Sequence, residues 1–154
     1  MAKLERVEFI KIPNVRVIGC EVTHEGKKNP VPALWKQMEK DKTLEMLKKQ
    51  LPLAISGCCI GWMGDAKGNT FKYIAGVIAV RDTPVPEGMQ YRDLQACDVA
   101  KGYLDGPQGA HNLVVKEIIA NGFAPDYSFG WSAEVYVEKY EYDGTVNYWC
   151  PYKK

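Results

Sequence analysis

The sequence lacks an excess of charge of either sign. It contains 20 Lys and Arg against 19 Asp and Glu, which leaves a formal net charge of +1. Proteins that attract nucleic acid or an anionic membrane by long-range electrostatics usually carry a strongly basic surface. Since no basic run or helix-turn-helix pattern stands out either, we expect no direct nucleic-acid partner and no membrane partner.

Long apolar segments and paired cysteines are also missing. No stretch approaches the roughly 20 apolar residues that span a bilayer, and the opening MAKLERVEFIKI is too charged for a signal-peptide core. The five cysteines include no CxxC pair, and Cys58 and Cys59 are neighbours, which rarely bridge each other. We therefore expect a cytoplasmic protein with reduced, mostly structural thiols.

The common catalytic and cofactor motifs do not occur. GxSxG, HExxH, the P-loop and GxGxxG are all absent. The two histidines, His24 and His111, have no Cys, Asp or Glu at metal-ligand spacing, and no haem ligand is evident. The sequence thus predicts no metal and no cofactor, and it does not favour an enzyme.

What the sequence does contain is an internal repeat. Residues 15–22 (VRVIGCEV) and 92–99 (RDLQACDV) share the order apolar, small, Cys, acid, Val. Each is followed by a stretch with helical periodicity, at 31–39 and at 108–118, and a second helical piece, LEMLKKQ, follows the first. The two halves therefore share one plan.

Each half then ends in two strands around a glycine-containing turn. Branched and aromatic residues favour strands, whereas Asp, Asn and Gly favour tight turns. The predicted strands are 55–64 and 71–80 around DAKGN, and 129–140 and 146–152 around EYDG.

These patterns predict one α+β domain over residues 1–154. It consists of two β-α-β-β repeats with pseudo-twofold symmetry, at about 5–81 and 89–152, with 82–89 as a proline-containing connector. The sheet is expected to be mostly antiparallel, with the helices on one face.

The predicted strand over 129–140 has an acid, Glu134, near its middle. Side chains alternate along a strand, so Glu134 and Tyr136 share one face while Trp131 lies on the other. One solvated face is the ordinary explanation, and Glu134 is then a surface acid. The alternative is that the carboxylate faces a positively charged ligand.

Several segments together resemble one family, the gyrase-inhibitor-like or AraC-type effector-binding superfamily, and within it the free-standing integron-cassette-associated type. The resemblance extends from about residue 5 to the C-terminus. The segments that carry it are IGWMGD, FKYIAGVIAV, VPEGM, GAHNLV, FGWSAEVYVE and YWCPYKK.

The resemblance implies a receptor for cationic, amphipathic aromatic compounds, without the DNA-binding domain that often accompanies such receptors. It places the ligand-facing acid at Glu134, with Tyr73 and Trp149 beside it. A transcription regulator or another protein would then sense the bound state. The further aromatic candidates are Trp62, Trp131, Tyr136 and Trp35, although Trp35 occupies an apolar helical position that also suits a core.

Two other functions compete with this interpretation. Some relatives look like hydrolases of electrophilic, cyclopropane-bearing natural products, in which case Glu134 is the catalytic residue with Tyr73 or Tyr136 beside it. A protein that interacts with gyrase is the third candidate. The near-neutral net charge does not favour it, because mimicry of nucleic acid requires an acidic surface.

Overall fold

The structure is a computed structural model that describes residues 2–138 and 146–154. Within these residues the chain forms nine strands, three α-helices and one 3-10 helix at Tyr127–Phe129. The helices are α1 (Val31–Lys40), α2 (Thr43–Gln50) and α3 (Ala110–Ala120). The strands are β1 (Leu4–Ile12), β2 (Val15–Glu25), β3 (Leu53–Lys67), β4 (Thr70–Val80), β5 (Gln90–Leu94), β6 (Cys97–Leu104), β7 (Ala124–Pro125), β8 (Trp131–Val137) and β9 (Val146–Lys153).

The main sheet has the strand order β1-β6-β9-β8-β3-β4-β2-β5, and β7 pairs with β9 outside this path. All of the described pairings are antiparallel. The strand order is symmetric, because corresponding strands occupy the same position counted from opposite edges of the sheet. The corresponding pairs are β1 and β5, β2 and β6, β3 and β8, and β4 and β9. The two halves therefore meet where β8 pairs with β3, at the middle of the sheet.

Two short links force this sheet to curl. Strands β1 and β2 are six strand spacings apart, which is about 29 Å in a flat sheet. Only Pro13 and Asn14 separate them, and Cα atoms three residues apart lie within about 11 Å. The link from β5 to β6 is equally short. The Ala96 amide donates to Asn14 Oδ1 at 2.8 Å and ties the two links together.

The curl gives the sheet an inner face and an outer face. The inner face is filled by a core that joins both edges of the sheet, from Ile12 to Leu94, and has no helix against it. The three helices pack on the outer face, α1 and α2 through Met38 and Leu47, and α3 through Val114. The predicted α+β class, antiparallel sheet and single helical face are confirmed.

The segment 92–99, which repeats the pattern of 15–22, does not form one strand as 15–22 does. Strand β5 ends at Leu94 and β6 begins at Cys97, because the chain crosses from one edge of the curled sheet to the other between them. Strand β1 was not predicted, and it pairs with β6 of the other half. The predicted turn at 141–144 lies outside the described residues.

Candidate ligand-binding site

Glu134 lies at the junction of the two halves, on the outer face of the sheet. Its position on β8 is flanked by Gly61 of β3 on one side and by Tyr148 of β9 on the other. Tyr148 belongs to the apolar cluster beneath α3, whereas Tyr73 of β4 belongs to the cluster beneath α1 and α2. The acid is therefore placed between the two helical layers.

Two tyrosines hold one oxygen of this carboxylate. Tyr73 donates its hydroxyl proton to Glu134 Oε2 at 2.9 Å, and Tyr136 donates to the same oxygen at 3.1 Å. Trp35 Nε1 of α1 donates in turn to the Tyr73 hydroxyl at 2.9 Å. The Trp35 ring meets the Tyr136 ring edge-on, with centroids 5.6 Å apart. Three aromatic side chains thus orient one acid.

Glu134 is a half-buried acid with an unusual electrostatic setting. No Lys, Arg or His among residues 2–138 and 146–154 forms an ion pair with it. Burial raises its pKa above the ordinary value, and the hydrogen bonds from Tyr73 and Tyr136 offset only part of that effect. Within the same residues Oε1 accepts no hydrogen bond. One carboxylate oxygen is therefore available to a ligand.

Gly61 makes this arrangement possible, and the sequence analysis did not identify it. A Cβ at this position would overlap the Tyr73 hydroxyl. Without a side chain there, the phenol of Tyr73 crosses β3 and reaches Glu134 on the next strand. A glycine inside a strand often marks such a close approach, and that was the available signal.

A groove of about 810 Å³ lies at the end of the sheet where β3 extends past the start of β8. Glu134 is not one of its lining residues, but Tyr148, which pairs with Glu134, and Ser132, two positions before Glu134 on β8, both line it. Met63, which pairs with Ser132, lines it as well. This volume lies within the roughly 300–1,000 Å³ that is typical of small-molecule pockets. The groove is large enough for a drug-sized molecule.

The family model for GyrI-like small molecule binding domains matches residues 5–153. The chain belongs to this family. The resemblance noted in the sequence is thereby confirmed, and a small-molecule-binding domain is the function that the family describes. No curated protein matches this chain.

Solved structures share the fold of this GyrI-like domain at low identity. SAV2435 bound to tetraphenylphosphonium is 13% identical with a TM-score of 0.70, and the match covers 96% of this chain and 94% of that one. The integron cassette protein VCH_CASS2 of Vibrio cholerae is 12% identical with a TM-score of 0.58, covering 99% of both chains. The EcmrR C-terminal domain is 15% identical with a TM-score of 0.64, covering 97% and 98%.

The structure gathers four of the seven predicted site residues, namely Glu134, Tyr73, Tyr136 and Trp35. The expectation that Trp149 stands beside the acid is wrong, because side chains alternate and Tyr148 is the residue that β9 turns to the outer face.

Two other tryptophans also belong to the inner face. Trp62 is 3% exposed, and the guanidinium of Arg92 already lies 5.1 Å from its ring centroid. Trp131 packs against the inner core. Both line the groove.

Among residues 2–138 and 146–154 of the GyrI-like domain, no three His, Cys, Asp or Glu side chains are grouped to hold a metal ion. All five cysteines are free thiols. No helix in the described ranges has the length and apolar character needed to cross a bilayer.

Proposed function

We propose that this GyrI-like domain is a receptor for cationic, amphipathic aromatic compounds. The observation that carries the proposal is the half-buried Glu134 carboxylate, which two tyrosines hold and no described cation neutralises. Burying a carboxylate without a countercharge costs several kcal/mol. A ligand cation supplies that countercharge, so binding would relieve a cost already present in the empty protein.

The surrounding side chains suit the rest of such a ligand. Tyr73, Tyr136 and Trp35 are rigid aromatic groups, and a cation over an aromatic face gains roughly 0.5–2 kcal/mol. Met63 adds an adaptable apolar contact in the groove. The structure of SAV2435 with tetraphenylphosphonium supports the proposal, because that ligand is a permanent cation with aromatic arms.

The decisive variant is Glu134→Gln, which keeps the shape and the two hydrogen bonds from tyrosine but removes the charge. Tetraphenylphosphonium has no hydrogen-bond donor, so it meets the carboxylate through charge alone, and at about 6 Å with an effective dielectric of about 20–80 this attraction is about 0.7–3 kcal/mol. We therefore expect the affinity for tetraphenylphosphonium to fall by roughly 3- to 100-fold. Titration followed by tryptophan fluorescence measures it. Glu39→Gln, at an exposed position of α1, is the matched control and should leave the affinity unchanged.

A neutral ligand separates charge from shape. Triphenylphosphine oxide has similar aromatic arms but no net charge, so it should bind more weakly and should not distinguish the wild type from Glu134→Gln. If Glu134→Gln binds tetraphenylphosphonium as tightly as the wild type, the carboxylate does not recognise a cation and the proposal is wrong.

One observation favours the hydrolase as a second candidate. Burial raises the pKa of Glu134, and a general acid at neutral pH needs a raised pKa. Incubation with a cyclopropane-bearing electrophile, followed by mass spectrometry, tests this function. A ring-opened product that forms with the wild type and not with Glu134→Gln would support it.

A further inference from the structure

A second recess lies on the inner face of the sheet. It has a volume of about 490 Å³ and is formed by four neighbouring strands, β6, β9, β8 and β3. Its apolar wall includes Ile55, Val135 and Val137. Because alternate side chains of β8 point to opposite faces, Val135 and Glu134 are separated by the sheet itself. The recess is therefore distinct from the site proposed above.

Two buried polar atoms in the wall of this recess have no hydrogen-bond partner among residues 2–138 and 146–154. They are Oδ1 of Asn147, a residue that is 2% exposed, and Nε1 of Trp149, a residue that is 4% exposed. Most buried polar groups in proteins are satisfied, and one that is not costs about 1–3 kcal/mol. An acceptor and a donor thus remain unused on one strand face, two residues apart, where a cavity adjoins them.

The charge of the wall indicates which kind of ligand fits. Lys101 lies directly opposite Trp149 in the β6–β9 pairing and lines the recess. Its ammonium lies 5.0 Å from the Tyr103 ring and, among the described residues, forms no ion pair. The Cβ atoms of directly opposite residues are about 5 Å apart, so the Lys101 side chain and the Trp149 indole lie side by side in the wall of the recess.

Negative charge in the wall is neutralised or absent. The one carboxylate among the described lining residues, Glu138, accepts from Lys48 Nζ of α2 at 2.9 Å. Burial raises the pKa of Cys58 to about 11, so this lining residue is a neutral thiol at physiological pH. The other cross-strand neighbour of Lys101 is Glu8, which pairs with Arg6 at 3.4 Å. An anion entering the recess therefore meets the Lys101 ammonium and no free acid of the described wall.

We propose that this recess is a second ligand site, for a small and mostly apolar carboxylic acid that also carries an N–H donor, as an N-acylated amino acid does. Its carboxylate accepts from Lys101 and from Trp149 Nε1, and its amide N–H donates to Asn147 Oδ1. Its side chain packs on Val135 and Val137. The chain then has two faces with opposite charge preference. This inference does not depend on the cation site.

The indole N–H of Trp149 reports directly on the proposed contact. In a ¹H–¹⁵N spectrum the four tryptophans give four indole signals, and Trp149→Phe identifies the relevant one. Titration with N-acetyl-L-leucine and N-acetyl-L-phenylalanine should shift this signal saturably and leave that of Trp35 in place. The neutral N-acetyl-L-leucinamide should bind more weakly than the acid.

Lys101→Met tests the charge. Loss of a charged hydrogen bond predicts an affinity for N-acetyl-L-leucine that is lower by about tenfold or more, with tetraphenylphosphonium binding unchanged. Lys36→Met, at an exposed position of α1, is the control. If neither acid moves the Trp149 signal at millimolar concentration, or if Lys101→Met binds the acid like the wild type, the proposal is overturned and the recess holds only water.

Discussion

The partly buried charge of Glu134 lowers the stability of the empty protein and favours the binding of a cation. Its carboxylate is partly removed from water, and the hydrogen bonds from Tyr73 and Tyr136 do not restore its pKa to the ordinary range. A group whose pKa is raised on folding favours its neutral form in the folded protein. The empty protein therefore bears a cost at neutral pH that a bound cation removes.

This cost predicts that Glu134→Gln is more stable than the wild type when no ligand is present. A glutamate in an unfolded chain titrates near about 4.3, and the folded-state pKa of Glu134 is higher. The carboxyl is protonated in both states well below about pH 4, so the cost vanishes there. It is fully present above the folded-state pKa. Thermal unfolding from about pH 8 to about pH 3 should show a higher Tm for Glu134→Gln that converges on the wild type as the pH falls.

Glu138→Gln on the same chain segment provides a control of opposite sign. The hydrogen bond from Lys48 lowers the pKa of Glu138, so its contribution to stability is present at neutral pH and is lost as the pH falls. This variant should be less stable than the wild type at neutral pH and should converge on it in acid. If Glu134→Gln is less stable than the wild type at pH 7 as well, burial does not penalise the carboxylate.

The sequence predicts part of this cluster and not the rest, for a physical reason. Strand alternation places Glu134 and Tyr136 on one face, and that prediction is confirmed because it depends only on neighbouring residues. The contact with Tyr73 spans 61 positions. It depends on the register of β3 between β4 and β8, which irregularities in the β3–β4 pairing shift. A one-residue slip in register exchanges the two faces. The placement of Trp149 beside the acid rests on the family resemblance, which does not fix the face of β9, whereas the pairing of Glu134 with Tyr148 does.

At the scale of elements, β3 contributes to the cation site because Gly61 has no side chain and leaves room for the Tyr73 hydroxyl. Gly61→Ala would force the Cβ against the hydroxyl of Tyr73, which is 1% exposed and has little room to move. Overpacking of this kind costs about 1–3 kcal/mol. We expect lower stability in urea and weaker tetraphenylphosphonium binding, because Tyr73 no longer orients Glu134. Gly106→Ala, at a position with open space, should change neither quantity. Unchanged binding by a destabilised Gly61→Ala would show that Tyr73 does not position the acid.

The helices were predicted more closely than the strand order. Amphipathic periodicity located α1, α2 and α3 to within about two residues, because each buries a stripe defined by its own sequence. The division of 92–99 into β5 and β6 has no such local signal. It follows from the chain crossing between the sheet edges, which only the assembled sheet imposes.

At the scale of the whole molecule, the curl of the sheet separates the two proposed sites. The outer face carries Glu134 between the helices, and the inner face carries the recess beside Asn147 and Trp149. The short links close the inner face, and they lie at the strand ends rather than at the centre of β8. Changes at the links should therefore affect the stability of the sheet before they affect cation binding.

Asn14→Ala tests this separation. The variant removes Asn14 Oδ1, which accepts a hydrogen bond from the Ala96 amide at 2.8 Å and so joins the two links. Because the pair is exposed and water can replace it, the loss should be about 0.5–1 kcal/mol. Urea unfolding should show this decrease, while the affinity for tetraphenylphosphonium remains that of the wild type. Asn112→Ala, at an exposed position of α3, should not lower stability. If Asn14→Ala instead loses much of its affinity for tetraphenylphosphonium while its stability is unchanged, the links position the cation site. The two faces of the sheet would then not be independent of each other.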